Sequence, residues 1–194
     1  MPSLFQLSAT SNKPSWNEII DLRIEIRDMV IDYWLYDTLF SFNWWFLLIT
    51  TIATFVIWLI VLDKSRLLEI MTFGLLIGTI VFVLDTIGIT LVLWSYPDKL
   101  IPLIPPILEI HKIHIPIIYM IIYQYFHSWK TYSIVLVITS AIFAFVLEPI
   151  TNWLGIYEIY HWKYTYSFPI YFILGVWMKW TITKVIRLEK SRKG

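Results

Sequence analysis

The feature that most limits the fold of this chain is its series of long apolar blocks. Apolar residues follow one another in runs rather than in the alternating pattern of a half-buried strand. Charged residues make up only 15% of the chain, against roughly 25% in soluble domains. Runs of this kind approach the roughly 20 residues that cross a bilayer as a helix. The sequence therefore predicts an all-α membrane protein.

Five membrane-spanning helices are predicted from these blocks. In order, they are Trp44–Leu62, Leu67–Tyr96, Leu108–His127, Thr131–Ile150 and Phe168–Ile186. The purely apolar part of the third, Ile115–Phe126, would cover only about 18 Å as a helix. Since the hydrocarbon layer is roughly 30 Å thick, this span must extend back to Leu108. The proline-rich segment Pro97–Pro106 is predicted to be a connector, and the sequence leaves open whether it enters the membrane.

The distribution of charge predicts the orientation of the bundle. Placing the C-terminus inside puts nine of the 15 basic residues, but only three of the 14 acids, on the cytoplasmic side. Basic residues concentrate in cytoplasmic loops, so we expect the N-terminus outside and the C-terminus inside. The chain then divides into an N-terminal tail and helix (1–43), a transmembrane bundle (44–187) and a basic cytoplasmic tail (188–194).

An amphipathic helix is predicted ahead of the bundle. Residues 1–13 are polar and expected to be loose, and Ser15 with Glu18 forms a capping-box pattern that starts a helix over Trp16–Tyr36. At helical spacing its acids fall on one stripe: Glu18, Asp21, Glu25, Asp28 and Asp32. One interpretation places this helix on the membrane surface. Its two apolar faces and acidic side fit anionic lipid poorly, so the other has residues 14–36 packing on the protein itself, on a partner subunit or on a second copy.

Two of the predicted spans carry a carboxylate beside small residues. Gly74, Gly78, Asp85 and Gly88 share one face of the second span. Glu148 shares a face of the fourth span with Ala141 and Ala144. Small residues let helices approach closely in lipid, so both faces are expected to pack against protein.

Three carboxylates are predicted to reach one height in the outer half of the membrane. Asp85, Glu109 and Glu148 lie 18 or 19 residues from the inner ends of their spans. An acid inside a bilayer is costly and marks a functional or structural site with a partner. We therefore predict a polar pocket open to the outer face, beneath the aromatic loop 153–166. Its candidate residues are Asp85, Glu109, His111, Lys112, His114, Glu148, Asn152, Trp153, Tyr157 and His161.

Three roles are open for this pocket. Asp85 and Glu148 are structural if they pair with Lys112, a histidine or another helix. The pocket is alternatively a binding site for a lipid headgroup or small molecule, with the aromatic loop as an interfacial girdle or a lid. In the third role, Asp85 and Glu148 are the general acid and base of an enzyme. A proton pathway is disfavoured because the inner half of the bundle lacks a polar relay.

Several chemistries are excluded or not predicted. The chain has no cysteine, which excludes disulfides, thiolate nucleophiles and cysteine-ligated metal sites. Glu109, His111 and His114 are spaced as possible metal ligands, but no fourth ligand is indicated and no metal site is predicted. Motifs for phosphate, dinucleotide or serine-hydrolase chemistry are absent. No cofactor and no nucleic-acid partner are predicted.

Parts of the sequence resemble a known family. The segments that carry the resemblance are Tyr119–Trp129, Ala144–Pro149, Gly155–Tyr157, Trp162–Tyr171 and Lys179–Trp180. Together they resemble an uncharacterised family of small integral membrane proteins from spore-forming Gram-positive bacteria. The resemblance implies a bacterial plasma or spore membrane and a helical bundle. Glu148-Pro149 and the aromatic run after it are also weakly similar to bacterial carotenoid cyclases and hydratases. The leading hypothesis is a non-enzymatic protein of the cell or spore envelope that binds a lipid, a small molecule or a membrane partner through the outer pocket and the N-terminal helix. The competing hypothesis is an enzyme that acts on an isoprenoid or lipid with Asp85 and Glu148.

Overall fold

The computed structural model describes residues 13–193, except for the side chains of His111, Lys190, Arg192 and Lys193. About 79% of the structure is helical, which confirms the predicted helical fold. The polar tail 1–12, expected to be loose, lies outside the described residues. The predicted capping box is confirmed, because Ser15 Oγ accepts from the Glu18 N–H and the Glu18 carboxylate accepts from the Ser15 N–H.

Seven α-helices follow one another along the described chain. They are α1 (Trp16–Tyr33), α2 (Phe42–Val61), α3 (Leu67–Thr90), α4 (Ile115–Tyr125), α5 (Trp129–Ile142), α6 (Glu148–Trp153) and α7 (Tyr164–Lys193). Three π-helical segments adjoin them: Trp34–Thr38 after α1, Glu109–His114 before α4, and Phe143–Leu147 between α5 and α6. A 3-10 turn, Lys64–Arg66, leads into α3.

Three of these helices are long and apolar enough to cross a membrane. They are Phe42–Val61, Lys64–Thr90 and Trp129–Trp153, and they correspond to the first, second and fourth predicted spans. The third predicted span is the π segment followed by α4, and the fifth lies within α7. The five-span topology and the orientation of the bundle stay predictions.

The predicted end of the second span is wrong. The helix stops at Thr90 rather than Tyr96, and the chain turns at Val92, whose φ is 53°. Trp94–Ser95 (β1) then pairs antiparallel with Glu158–Ile159 (β2), with Trp94 opposite Ile159. The turn brings the Trp94 indole back onto α3 at Gly88, where no side chain blocks it. The fold therefore includes one short two-stranded ladder.

The main core lies between α3, α4, α5 and α7. Tyr119 and Tyr132 are fully buried in it, and their hydroxyls donate to the carbonyls of Tyr171 and Gly175 at 2.8 and 2.9 Å. The face of α3 that was expected to pack on protein is buried throughout, from Gly74 to Gly88. The close approach of helices predicted from the small residues is therefore present.

The bundle has two chemically different ends. At one end, Gln124 closes α2, because its Nε2 donates to the Val61 carbonyl at 2.6 Å and its Oε1 accepts from the Asp63 N–H at 2.9 Å. At the other end, residues 91–108 and 154–163 cover the helices, and we call these two segments the cap. The predicted aromatic loop forms the second segment, and β2 within it joins β1 of the first segment.

Candidate functional site

Asp85 is the buried acid of α3, and it holds the first segment of the cap. Its side chain is 3% exposed. Its Oδ1 accepts a hydrogen bond from Trp94 Nε1 at 2.7 Å and another from the Tyr96 hydroxyl at 2.8 Å. Both donors lie on the chain that folds back after α3. Since a buried acid must be hydrogen-bonded to avoid a large desolvation cost, this pair of donors fixes the fold-back.

Glu148 is the first residue of α6, and it binds side chains near the start of α7. It follows the π segment Phe143–Leu147 and precedes Pro149, which occupies the first turn of α6, where a proline is tolerated. Its Oε2 accepts from Ser167 Oγ at 3.0 Å, and its Oε1 accepts from the Tyr171 hydroxyl at 2.8 Å. Trp162 Nε1 in turn donates to Ser167 Oγ at 2.9 Å. Glu148 therefore joins the fourth predicted span to α7 and to the cap.

Tyr157 is a buried phenol of the cap that the charges of both acids influence. It is 6% exposed, and its ring stacks on that of Tyr96 with centroids 5.5 Å apart. Burial raises the pKa of the Tyr157 hydroxyl, and the nearby charges of Glu148 and Asp85 raise it further. One phenol therefore lies within electrostatic reach of both carboxyls.

Glu109 holds the same cap segment as Asp85. It is 4% exposed, and its Oε1 accepts from the Leu100 N–H at 2.6 Å. The neighbouring Lys99 is also buried, with Nζ donating to the carbonyls of Ile104 and Pro105 at 3.2 and 3.3 Å. Burial lowers the pKa of Lys99, and the Glu109 charge partly offsets this effect. A buried cation and a buried acid thus order the proline-rich connector.

Asp98 joins the cap to the base of α1. Thr38 Oγ1 donates to its Oδ1 at 2.8 Å, and Asn43 Nδ2 donates to its Oδ2 at 2.6 Å. Trp34 Nε1 donates to the Lys99 carbonyl at 2.9 Å. The π segment that follows α1 is therefore fastened to the cap, and this fixes the direction in which α1 leaves the bundle.

The structure brings part of the predicted pocket together. The charges of Asp85 and Glu148 both act on Tyr157, and Asn152 Nδ2 donates to the Tyr157 carbonyl at 2.8 Å. We call these four residues the cluster. Glu109 lies at the same end of the bundle. The acids use indole, phenol, hydroxyl and backbone donors in these bonds. The cluster can therefore hold the cap or accept a polar ligand.

Other predicted pocket residues lie apart from this cluster. Three have exposed side chains: Lys112, Trp153 and His161. Lys112 Nζ lies 4.8 Å from the centroid of the Phe82 ring. His114 Nδ1 lies 2.7 Å from the Glu109 carbonyl within the π segment, and the side chain of His111 lies outside the described residues. Across residues 13–193, no group of three or more His, Cys, Asp or Glu side chains is arranged to hold a metal ion.

Several residues of the site were not predicted from the sequence. The donors to the two acids are Trp94, Tyr96, Ser167 and Tyr171. Asp98, Thr38 and Lys99 were also missed. Trp94 and Tyr96 fall inside the predicted second span and Tyr171 inside the fifth, so the sequence assigned them no role at the site. A usable signal was Asp98-Lys99 itself, because two opposite charges inside a proline-rich connector indicate an ordered segment.

In contrast to the buried acids of the cap, α1 has no buried residue. Apolar side chains are exposed along it, with Leu22, Ile26 and Met29 at 56%, 55% and 56% exposure. Its acidic stripe faces solvent as well, and the Arg27–Asp28 pair at 2.7 Å is exposed on both sides. The helix is thus attached to the body only at its base, within the described part of the chain.

Comparison of the chain with protein-family models, with curated proteins and with solved structures finds no match in any of the three. The geometry of the cap and of α1 is therefore the basis on which a function is argued. The resemblance to a family of small membrane proteins from spore-forming bacteria stays a prediction.

Proposed function

We propose that this chain is an integral membrane protein that assembles with a second membrane protein through α1. In this proposal Asp85 and Glu148 are locks that hold the cap, and the cap holds the base of α1. The observation that carries the proposal is that α1, a helix of 18 residues, has no buried residue. A bacterial plasma or spore membrane, with α1 on the outer side, is part of the proposal.

An unsupported helix of this length needs a surface to pack on. Most helix stability in proteins comes from the packing of an amphipathic face rather than from intrinsic propensity. Leu22, Ile26 and Met29 recur at the spacing of one helix face, and more than half of each is exposed. A continuous exposed apolar face marks an interaction site.

The charge of α1 favours a protein partner over an anionic lipid surface. The helix carries five acids and two arginines, whereas helices that lie on membranes are typically rich in Lys and Arg on the polar face. Anionic headgroups would repel the acidic stripe. A protein partner with an apolar groove would cover the apolar face of α1 and leave the acidic stripe in solvent.

The test is photo-crosslinking of the full chain in its native membrane. A photoreactive side chain at Ile26 is expected to give one protein adduct of defined mass. The same side chain at Asp21, on the acidic stripe, is the matched control and is expected to crosslink less. An adduct twice the mass of the chain would identify the partner as a second copy. Lipid adducts alone at Ile26 would contradict the proposal and favour a helix lying on the membrane.

A second candidate function is ligand binding or catalysis at the cap. The observation that favours it is the position of Tyr157, within electrostatic reach of both Asp85 and Glu148. Two acids and a phenol in a water-poor site are suited to proton transfer on an isoprenoid or lipid. Under this alternative, Glu148→Gln loses turnover or ligand binding and keeps its thermal stability. Under the first proposal it loses thermal stability.

A further inference from the structure

The end of the bundle opposite the cap contains two adjoining cavities. One, which we call the basic pocket, has a volume of about 290 Å³. Its polar lining residues are Arg66, Glu69, Tyr123, His127, Lys179 and Arg187. The other, of about 530 Å³, is lined by Trp129, Phe172, Ile173, Val176, Trp177 and Trp180, and we call it the apolar groove. Both use α7 as one wall.

The basic pocket carries a net positive charge. Arg66, Lys179 and Arg187 contribute three cations, and Glu69 is the one acid among its lining residues. Arg66 binds Glu69 at 2.5 Å and also lies 2.9 Å from His127 Nε2. With that acid already paired, Lys179 and Arg187 supply the excess charge. The pocket therefore complements an anion.

Lys179 is built into the wall between the two cavities. It is 4% exposed, and its Nζ donates to the carbonyls of Phe126 and His127 at 2.8 and 3.0 Å. The same ammonium group lies 5.3 Å from the centroid of Trp129, which lines the apolar groove. A molecule lying across Lys179 would thus meet cations on one side and aromatic rings on the other.

The apolar groove has the character of a lipid-facing surface. Ile173 and Trp177 are 60% and 52% exposed, and Trp129 lies at the start of a helix able to cross a membrane. Tryptophan is enriched at the membrane–water boundary. The groove and the basic pocket together present the two chemistries of one amphiphile, an apolar chain joined to an anionic head.

We infer that these cavities bind one anionic phospholipid, with its phosphate in the basic pocket and an acyl chain along the apolar groove. Basic pockets between helices at the cytoplasmic boundary are suited to anionic headgroups, and guanidinium groups match the geometry of phosphate oxygens. The inference depends on the membrane insertion in the proposed function but not on assembly through α1.

The test is native mass spectrometry of the full chain in detergent with added lipid. Phosphatidylglycerol is expected to bind more tightly than phosphatidylcholine. Arg187→Gln is expected to weaken phosphatidylglycerol binding about fivefold, the effect of one basic group near a lipid surface. Arg187 is exposed at the rim of the pocket, so this variant is expected to fold. Lys130→Gln is the matched control, since it removes a positive charge at the same end without lining either cavity.

Three outcomes would overturn the inference. Equal binding of the two lipids would exclude recognition of charge. Equal loss in Arg187→Gln and Lys130→Gln would mean diffuse attraction rather than a site. Binding of inorganic phosphate or glycerol phosphate as tight as that of the lipid would mean that the pocket serves a free phosphate compound and that the groove is not used. If the chain does not partition with membranes at all, the proposed function fails first, and membrane fractionation distinguishes that case.

Discussion

Asp85 and Glu148 each accept two hydrogen bonds from uncharged side chains. Neutral donors satisfy a buried acid without bringing a second ion into a water-poor region, where the desolvation of an ion pair often exceeds its attraction. The donors to each acid lie on a different structural element from the acid itself. Each buried acid therefore stabilises only those arrangements of the chain that keep its donors in place.

Replacing Glu148 with glutamine tests this constraint. An amide keeps one acceptor, but its N–H group can only donate. The hydroxyl of Ser167 or Tyr171 that faces this N–H therefore loses the acceptor for its own proton. We expect Glu148→Gln to lower the free energy of unfolding by about 1–3 kcal/mol, the usual cost of a buried polar group left unsatisfied. Thermal unfolding in detergent measures the effect.

Glu158→Gln is the control for that variant. Glu158 is exposed and accepts a hydrogen bond from the Tyr160 hydroxyl, so the same chemical change there is expected to alter stability by less than about 0.5 kcal/mol. Equal stability of the two variants would argue against Glu148 as a lock and for a role in ligand chemistry.

At the residue scale, the sequence singled out the two acids but not the side chains that donate to them. Asp85 and Glu148 stand out because a carboxyl in an apolar run is costly wherever the chain goes. Trp94 and Tyr171 do not stand out, since either residue is equally at home at a membrane boundary. Their role depends on a turn after α3 and on the rotation of α7, which no local pattern encodes.

At the scale of elements, the contact between α3 and β1 depends on Gly88, because a side chain at this position would collide with Trp94. A Cβ added at Gly88 would lie 2.0 Å from the Trp94 indole, and that indole is held in place by Asp85. A Cβ added at Gly74 would instead meet the Met120 side chain at 2.3 Å. Methionine is flexible and adapts to irregular space, whereas an indole hydrogen-bonded to a buried acid does not.

The two glycines therefore make a matched pair. Gly88→Ala is expected to displace Trp94, break its hydrogen bond to Asp85 and destabilise the protein by about 2–4 kcal/mol. Gly74→Ala is expected to cost less, about 1 kcal/mol. Thermal unfolding gives the ranking, and tryptophan fluorescence reports the movement of the indole in Gly88→Ala. The reverse ranking would mean that Trp94 is not fixed on α3.

Element boundaries followed the sequence where a cap or a charge marked them. Ser15 with Glu18 located the start of α1, and Asp63–Arg66 separated α2 from α3, as expected from capping and turn chemistry. The end of α3 was missed because residues 91–96 continue the apolar pattern of a span. The helix ends earlier because Trp94 folds back and packs against Gly88. Hydrophobicity alone does not indicate this tertiary contact.

At the scale of the whole molecule, the two ends of the described structure differ in the charged residues that they carry. Acids and tyrosines lie under the cap, while basic residues gather around the other end of α3 and α7. Five spans were predicted from the sequence, and three helices of the described structure are long and apolar enough to cross a membrane. The α4 region is short and polar at its start, so burial among neighbours rather than hydrophobicity defines it.

The buried groups of the cap predict how stability depends on pH. Burial raises the pKa values of Tyr96 and Tyr157 above the ordinary 10.0. Above pH 10 the unfolded chain has therefore lost protons that the folded chain retains, and the free energy of unfolding falls. Lys99 acts in the opposite direction, because its pKa is lowered from 10.5 and stability rises with pH through that window. We therefore expect the free energy of unfolding to fall as the pH rises above about 10.

Tyr157→Phe tests this prediction. The variant is expected to lose the contribution of one proton to the slope above pH 10, about 1.4 kcal/mol per pH unit. Denaturant unfolding in detergent at a series of pH values gives the slope, and tyrosinate absorbance shows whether ionisation accompanies unfolding. An unchanged slope in Tyr157→Phe would mean that this hydroxyl already ionises in the folded protein.

The π-helical segment Phe143–Leu147 places Glu148 beside α7. A π turn holds one residue more than an α turn, and each residue of an α-helix turns the chain by about 100°. Without that extra residue, the carboxyl of Glu148 would point about a quarter of a circle away from Ser167 and Tyr171. Deleting one residue from this segment would therefore separate the carboxyl of Glu148 from both of its hydrogen-bond donors.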